Sequence, residues 1–325
     1  MNVFVAGGSG AIGIPLVRAL AVAGHKVTAL TRSASKRDEL RALGVEVALA
    51  DALDRDSLIA AVEAAHPTHV IHQLTALPKG GPRSASDLDA TNRLRIDGTR
   101  NLLDAAIKAG ARRFLVGSFA ILSDRGQPDT NPNPAAVAVR SMESQVLDVT
   151  KRGAIEGVIL RYGMFYGFEA GSTVAMINMV RKRRLPLVRG DSSQLPLIHV
   201  EDAVAATVQA LDAAPAGATY DIVDDRAVSA TELVNAIAEY SGSPKPFTVP
   251  AWLPKLVSPY LARMMSMRMP LSNAKAKTEL GWRPRYPTVR DGLAKVFSTS
   301  QPYVPLPSPT CSDTPRRRQS PGSRP

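Results

Sequence analysis

The sequence predicts an α/β protein: a doubly wound parallel sheet, with a smaller C-terminal substrate-binding region. Three observations predict it. Short apolar runs rich in β-branched and aromatic residues alternate with amphipathic helical stretches over residues 1–168. A glycine-rich turn carrying Gly7, Gly10 and Gly13 joins the first of these runs to the first helix. Beyond residue 168 the alternation loosens into shorter, Pro-punctuated segments. This divides the chain into a nucleotide-binding part (1–168), a smaller region interleaved with it (169–300) and a Pro/Arg-rich tail (301–325) that reads as disordered.

Taken in order, Val3–Ala6 has the composition of a buried strand, and Ile12, Leu16, Val17 and Leu20 recur at helical spacing until Gly24. The turn between them can bring bare N–H groups to a phosphate at the positive end of a helix. Gly7 permits the tight turn, Gly10 leaves room for a pyrophosphate, and Gly13 lets the helix pack close; Ser9, Ala11 and Ile12 complete the loop. Pro15 suits an early helical position.

A second strand, Lys26–Leu30, runs into Thr31, Arg32 and Ser33, where a Rossmann unit reads the adenosine ribose. No Asp or Glu occurs there before Asp38, and Arg32 is placed for a 2′-phosphate. The pattern favours NADP and leaves NAD open, as it leaves open an ordinary exposed arginine. Ser35–Leu43 reads as a helix and Val45–Leu49 as a third strand ending at Asp51 and Ala52. Asp51 can accept from an adenine amino group or cap the helix that begins near Asp54. The fourth strand, Val70–Leu74, presents Gln73, Leu74 and Thr75 at its end; His72 reads as a core histidine. His69 and His72 fall on opposite strand faces, against a shared metal.

Residues 85–109 form a helix with Leu94, Leu102, Leu103 and Ile107 as its stripe, closed by Gly110. Arg113–Gly117 is the fifth strand, ending at Ser118; Gln127–Pro134 is a loop long enough to border a site. A helix over Val137–Thr150 precedes the sixth strand, Gly157–Leu160, which leads into Tyr162, Gly163, Met164 and Tyr166. Ligands in such sheets sit at strand carboxyl ends, so six strand ends converge on one crevice. Beyond it come helices over Gly171–Arg184, Glu201–Ala213 and Thr231–Tyr240, and strands over Pro196–Val200 and Thr219–Val223. Met264, Met265, Met267 and Met269 fill core gaps or form a flexible apolar lid.

The formal charge is +11 over 325 residues; residues 301–325 hold four arginines against one aspartate, which leaves +8 on the rest. The densest cluster, Arg181–Arg184, reads as a solvated helix end, and aromatics at 5% do not interleave with it, so no nucleic-acid platform is expected. No apolar run reaches membrane-span length, and the N-terminus lacks the pattern of a signal peptide. The single cysteine, Cys311, excludes an internal disulfide and a cysteine metal cluster; a reducing cytoplasm is expected.

With these segments in hand the chain resembles the extended short-chain dehydrogenase/reductase superfamily, the NAD-dependent epimerase/dehydratase family, over roughly residues 1–295. VAGGSGAIG is similar to its nucleotide loop, GTRNLLDAA (98–106) to its fourth-helix signature and LRYGMFYG (160–167) to its post-strand-six motif. PLIHVEDAV (196–204) and ELGWRPRY (279–286) match two C-terminal signatures. The resemblance implies carbonyl redox chemistry on a Tyr-x-x-x-Lys pair plus an upstream Ser or Thr, and pairing of copies through the helices at 85–109 and 137–150 as a homodimer. Here no Tyr-x-x-x-Lys occurs: counting back from Glu143 puts Val139 at the lysine and Ala135 at the tyrosine. Ser118 and Phe119 stand for the paired serines, and Arg95 replaces the asparagine three residues before Gly98.

The cofactor half is thus intact and the proton-relay half erased. The expectation is an atypical NADP-dependent oxidoreductase, or an epimerase/dehydratase-like enzyme, acting on a small carbonyl or sugar-like molecule without a metal. Ser118, Tyr166 or Tyr162 would then stand in as proton donor. General acid–base help is worth about 10²–10⁴-fold, so its loss slows hydride transfer without forbidding it. Each of these residues also has a plain structural reading: Ser118 ends a strand, and the tyrosines line an apolar wall. The alternative expectation is a catalytically silent NADP(H)-binding sensor.

Overall fold

A computed structural model describes residues 1–78, 81–82, 84–121, 133–253, 256, 268–269 and 271–298. The loop expected at 127–134 lies mostly outside these residues; Met264, Met265, Met267 and the 301–325 tail lie wholly outside them.

The principal sheet contains β1 (Asn2–Ala6), β2 (Lys26–Thr31), β3 (Glu46–Leu49), β4 (His69–His72), β5 (Arg113–Phe119), β6 (Glu156–Tyr162) and β10 (Thr219–Ile222). All are parallel, in the order β10-β6-β5-β4-β1-β2-β3. The order reverses at β1, which puts the crevice between β1 and β4 at their carboxyl ends. Alternation along β1 sends Val3 and Val5 to one face and Phe4 and Ala6 to the other. Over the first face lie α1 (Gly13–Val22) and α8 (Val200–Ala213), together with Trp282. Over the second lie α3 (Arg55–Ala65), α5 (Thr99–Lys108) and α6 (Pro134–Lys151). Both faces are therefore dry, as a parallel sheet requires.

The helix expected at 85–109 is one rod with a defect. A 3₁₀ turn at Ser86–Leu88 leads into α4 (Asp89–Arg93), then a π-helical stretch, Leu94–Gly98, then α5. The Gln145 amide of α6 donates to the Ile96 carbonyl on that stretch at 3.1 Å. The helix expected at Ser35–Leu43 is shorter, a 3₁₀ turn followed by α2 (Arg37–Arg41).

The smaller region is threaded through the larger one, since β10 joins the main sheet and α8 covers one of its faces. Its own core joins α7 (Gly171–Arg181), α9 (Ala230–Tyr240) and α11 (Val289–Ser298) with two short pairs: β7 (Met164–Tyr166) with β9 (Leu197–His199), and β8 (Leu187–Val188) with β11 (Thr248–Val249). The two C-terminal motifs hold each other. Asp202, in α8, accepts the N–H groups of Arg285 and Tyr286 at 2.8 and 2.9 Å, and Trp282 donates its indole N–H to the Asp202 carbonyl at 3.1 Å. Between them α10 (Ala274–Leu280) packs on α8.

Candidate active site

The glycine loop is built to hold an anion. Gly7 has φ +91°, and a Cβ there would lie 2.6 Å from the Gln73 carbonyl oxygen. At Gly13 a Cβ would lie 2.1 Å from the Gly7 carbonyl oxygen, so this glycine seats the helix against the loop itself rather than against the strand. A Cβ at Gly10 would meet protein only at the Gly7 carbonyl, at 3.3 Å, leaving open the space that a pyrophosphate needs. The N–H groups of Ala11 and Ile12 make no hydrogen bond among the described residues, and the first turn of α1 carries no acidic side chain. Donors, dipole and room coincide, and the loop fits a dinucleotide phosphate.

The other strand ends border the same crevice. Ser9 and Thr31 share a hydroxyl hydrogen bond of 3.2 Å that ties the loop to the end of β2. Arg32 is exposed just beyond, with no ion pair among the described residues. Asp51 does not cap α3, whose cap is Asp54 through the Ser57 N–H at 3.2 Å. Instead Asp51 holds its own turn by accepting the Leu53 N–H at 2.9 Å. Ala52 is buried, and its carbonyl accepts from Asn101 at 3.0 Å. Thr75 is exposed and Leu74 half-buried. Gly163 and Met164 lie against Pro196, whose carbonyl accepts the Met164 N–H at 2.8 Å.

His72 is a core residue bonded through Nε2 to Thr99 Oγ1 at 2.9 Å, and His69 Nδ1 bonds Thr68 at 2.8 Å; burial first holds both imidazoles down at about 4. Among the described residues no group of three or more His, Cys, Asp or Glu could hold a metal.

The three expected proton donors are each bonded to partners within the protein. Ser118 is buried and donates to Glu143 Oε1 at 2.5 Å; Arg161 grips that carboxylate with two bonds, at 3.0 and 2.5 Å. A carboxylate only accepts, so the Ser118 proton is committed. Tyr162 accepts from the Gln73 amide at 3.0 Å and bonds Thr207 Oγ1 at 2.6 Å. Thr207 spends its own proton on the Ala203 carbonyl at 2.7 Å, so Tyr162 must donate to Thr207. Burial pushes the Tyr162 phenol up to about 12. Tyr166 donates to Asp224 Oδ2 at 2.9 Å, in the core of the smaller region, in space that only a glycine at 292 leaves. Burial, then the Asp224 carboxylate, drives its pKa far up. These three hydroxyls serve the protein's own acceptors.

Sequence reasoning missed the contacts that explain this. Gly117 lacks a side chain because Gln73 crosses β5 there: a Cβ would sit 2.1 Å from Gln73 Oε1 and 2.8 Å from the Tyr162 ring. On α6 the stripe that the resemblance expects to be Tyr, Lys and Glu is Ala135, Val139 and Glu143, all buried, leaving an apolar wall above one ion pair. Arg95 is also buried, on the π-helical stretch; its substitution was legible, its position was not.

The model of the NAD dependent epimerase/dehydratase family matches residues 3–223. The chain belongs to that family. Among relatives, a 3-diazoavenalumate denitrifying reductase from a Streptomyces species is 35% identical over 308 residues, covering 91% of this chain and 100% of that protein. The 4-hydroxy-2-methyl-3-oxo-4-farnesyl-3,4-dihydroquinoline-1-oxide ketoreductase of Stigmatella aurantiaca is 26% identical over 255 residues, 74% of each chain. In three dimensions, the UDP-glucose 4-epimerase of Thermus thermophilus, solved with NAD, superposes with a TM-score of 0.73 at 25% identity, over 92% of this chain and 98% of that one. The chain thus has reductase relatives in sequence and an epimerase neighbour in structure, the latter solved with NAD. Among the described residues no helix is long and apolar enough to cross a membrane.

Proposed function

We propose that the protein is an NADP(H)-dependent oxidoreductase that works on a small carbonyl-type electrophile without a tyrosine–lysine proton relay. The observation that carries this reading is the glycine loop, with its open space over Gly10 and its unbonded Ala11 and Ile12 amides. The loop would hold the pyrophosphate, Gln73–Thr75 and Gly163–Met164 would border the nicotinamide end, and the apolar Ala135–Val139 wall would exclude water. When bound, the coenzyme supplies or accepts hydride; the protein's part is to orient the reacting carbon. The exposed Arg32, with no acidic residue at the end of β2, supports NADP over NAD. The commitment of the Ser118, Tyr162 and Tyr166 protons supports a reaction whose proton is exchanged with solvent.

That same commitment favours a second reading, an NADP(H)-binding sensor without turnover. Absorbance at the reduced-nicotinamide band, followed over a panel of carbonyl compounds, separates the two: coenzyme oxidation by any of them is the expected result, and binding without oxidation selects the sensor. Replacing Arg32 with Ala should weaken NADPH about tenfold and leave NADH nearly unchanged, as fluorescence titration would show. Equal loss for both coenzymes would take the 2′-phosphate away from Arg32.

A further inference from the structure

Arg95 is only 7% exposed, yet no hydrogen bond or ion pair holds its guanidinium among the described residues, and Nη1 is wholly buried without a partner. Its helical neighbours fix the direction it faces. Thr91, about one turn earlier, accepts the Ala76 N–H at 3.0 Å, and Thr99, about one turn later, bonds His72 at 2.9 Å. Both partners belong to the carboxyl end of β4 or the segment after it, so Arg95, between them, sits on the helix face turned towards that end of β4. The charge of Arg95 reaches His72, where after burial it is the second cause holding that imidazole down. Burial lowers Arg95 itself only to about 10, which leaves it cationic at neutral pH.

A buried cation without a counterion is unfavourable, and buried polar groups left unpaired mark places where a ligand supplies the partner. The helix carries a π-helical turn here, a defect that recurs at functional positions. A guanidinium presents a planar fork that matches a carboxylate bidentately.

We propose that Arg95 is a specificity-determining residue that receives a carboxylate of the molecule bound in the crevice. That this molecule is a reductase substrate rests on the function proposed above; the anion site itself does not. The two ideas fail separately. Benzoate and the uncharged benzamide serve as probes, titrated calorimetrically into the full chain, first with saturating NADPH and then without coenzyme.

Benzoate is expected to bind at least tenfold more tightly than benzamide. Arg95→Gln should remove that preference while NADPH affinity stays within about twofold. Equal binding of the two probes, or a preference that survives Arg95→Gln, overturns the proposal. So does a variant that loses NADPH more than tenfold with benzoate unaffected, because Arg95 would then serve the coenzyme. Should Arg95→Gln not fold, Arg95→Lys keeps the charge but not the fork. It should weaken benzoate about tenfold, and unchanged affinity is again a refutation. A chain that binds benzoate through Arg95 yet neither binds nor oxidises NADPH keeps the anion site and loses the redox reading.

Discussion

At Gly13 the space for a side chain is already occupied, with the Gly7 carbonyl 2.1 Å from where a Cβ would be. Gly13→Ala must push α1 off the loop. NADPH affinity should fall more than tenfold by fluorescence titration, with a lower melting temperature; undiminished binding would show that the loop does not hold the phosphates. Ser118→Ala is expected to behave oppositely. Its hydroxyl donates to Glu143, which keeps both Arg161 bonds when the serine is gone. Denaturation should show a loss of about 1–2 kcal/mol, and turnover should fall by less than the roughly 10² that a lost acid–base group costs. A hundredfold fall in turnover without loss of stability would restore Ser118 as a catalytic group. The glycines were legible because their spacing at a strand-to-helix junction has one physical use. The hydroxyls were not, because Thr207 and Asp224, the partners that consume or receive the tyrosine protons, lie 45 and 58 positions along the chain from Tyr162 and Tyr166.

Among the elements, α6 and the 89–108 rod carry the departures from the family pattern. Local spacing identified both as helices, and the apolar stripe of α6 follows directly from Ala135, Ala138, Val139 and Met142. The π-helical turn at Leu94–Gly98 left no trace in the periodicity, since a single wide turn shifts the register by less than the stripe is broad. The short strands of the smaller region pair only with segments far along the chain, β7 with β9 and β8 with β11, and so depend on tertiary context. At the end of β10, burial above all pushes the Asp224 carboxyl up from 3.8 to about 8, and its Oδ1 has no partner. A folded pKa above the unfolded one means that the stabilising contribution is complete below about pH 4 and disappears as pH rises towards about 8. Asp224→Asn keeps the site neutral throughout. The melting temperature of the variant minus that of the parent should therefore grow between about pH 5 and pH 8 by scanning calorimetry. A difference that stays flat would mean that Asp224 titrates as an ordinary carboxyl.

For the molecule as a whole, the parallel sheet, its two covered faces and the crevice at its carboxyl edge were all readable from strand–helix alternation, because a parallel pair demands a crossover and the crossover demands a helix. The seventh strand joining the sheet from residues 219–222 was readable as a strand but not as a neighbour of β6. On the proposed function, a dinucleotide cradle lies beneath an apolar wall from which the family's tyrosine is absent, while Ser118, Tyr162 and Tyr166 bond partners within the protein. The most direct measurement is calorimetric titration of the full chain with NADPH and NADH. Micromolar dissociation of NADPH, tighter than that of NADH, is the predicted result. No heat of binding from either reduced coenzyme at millimolar concentration would contradict it.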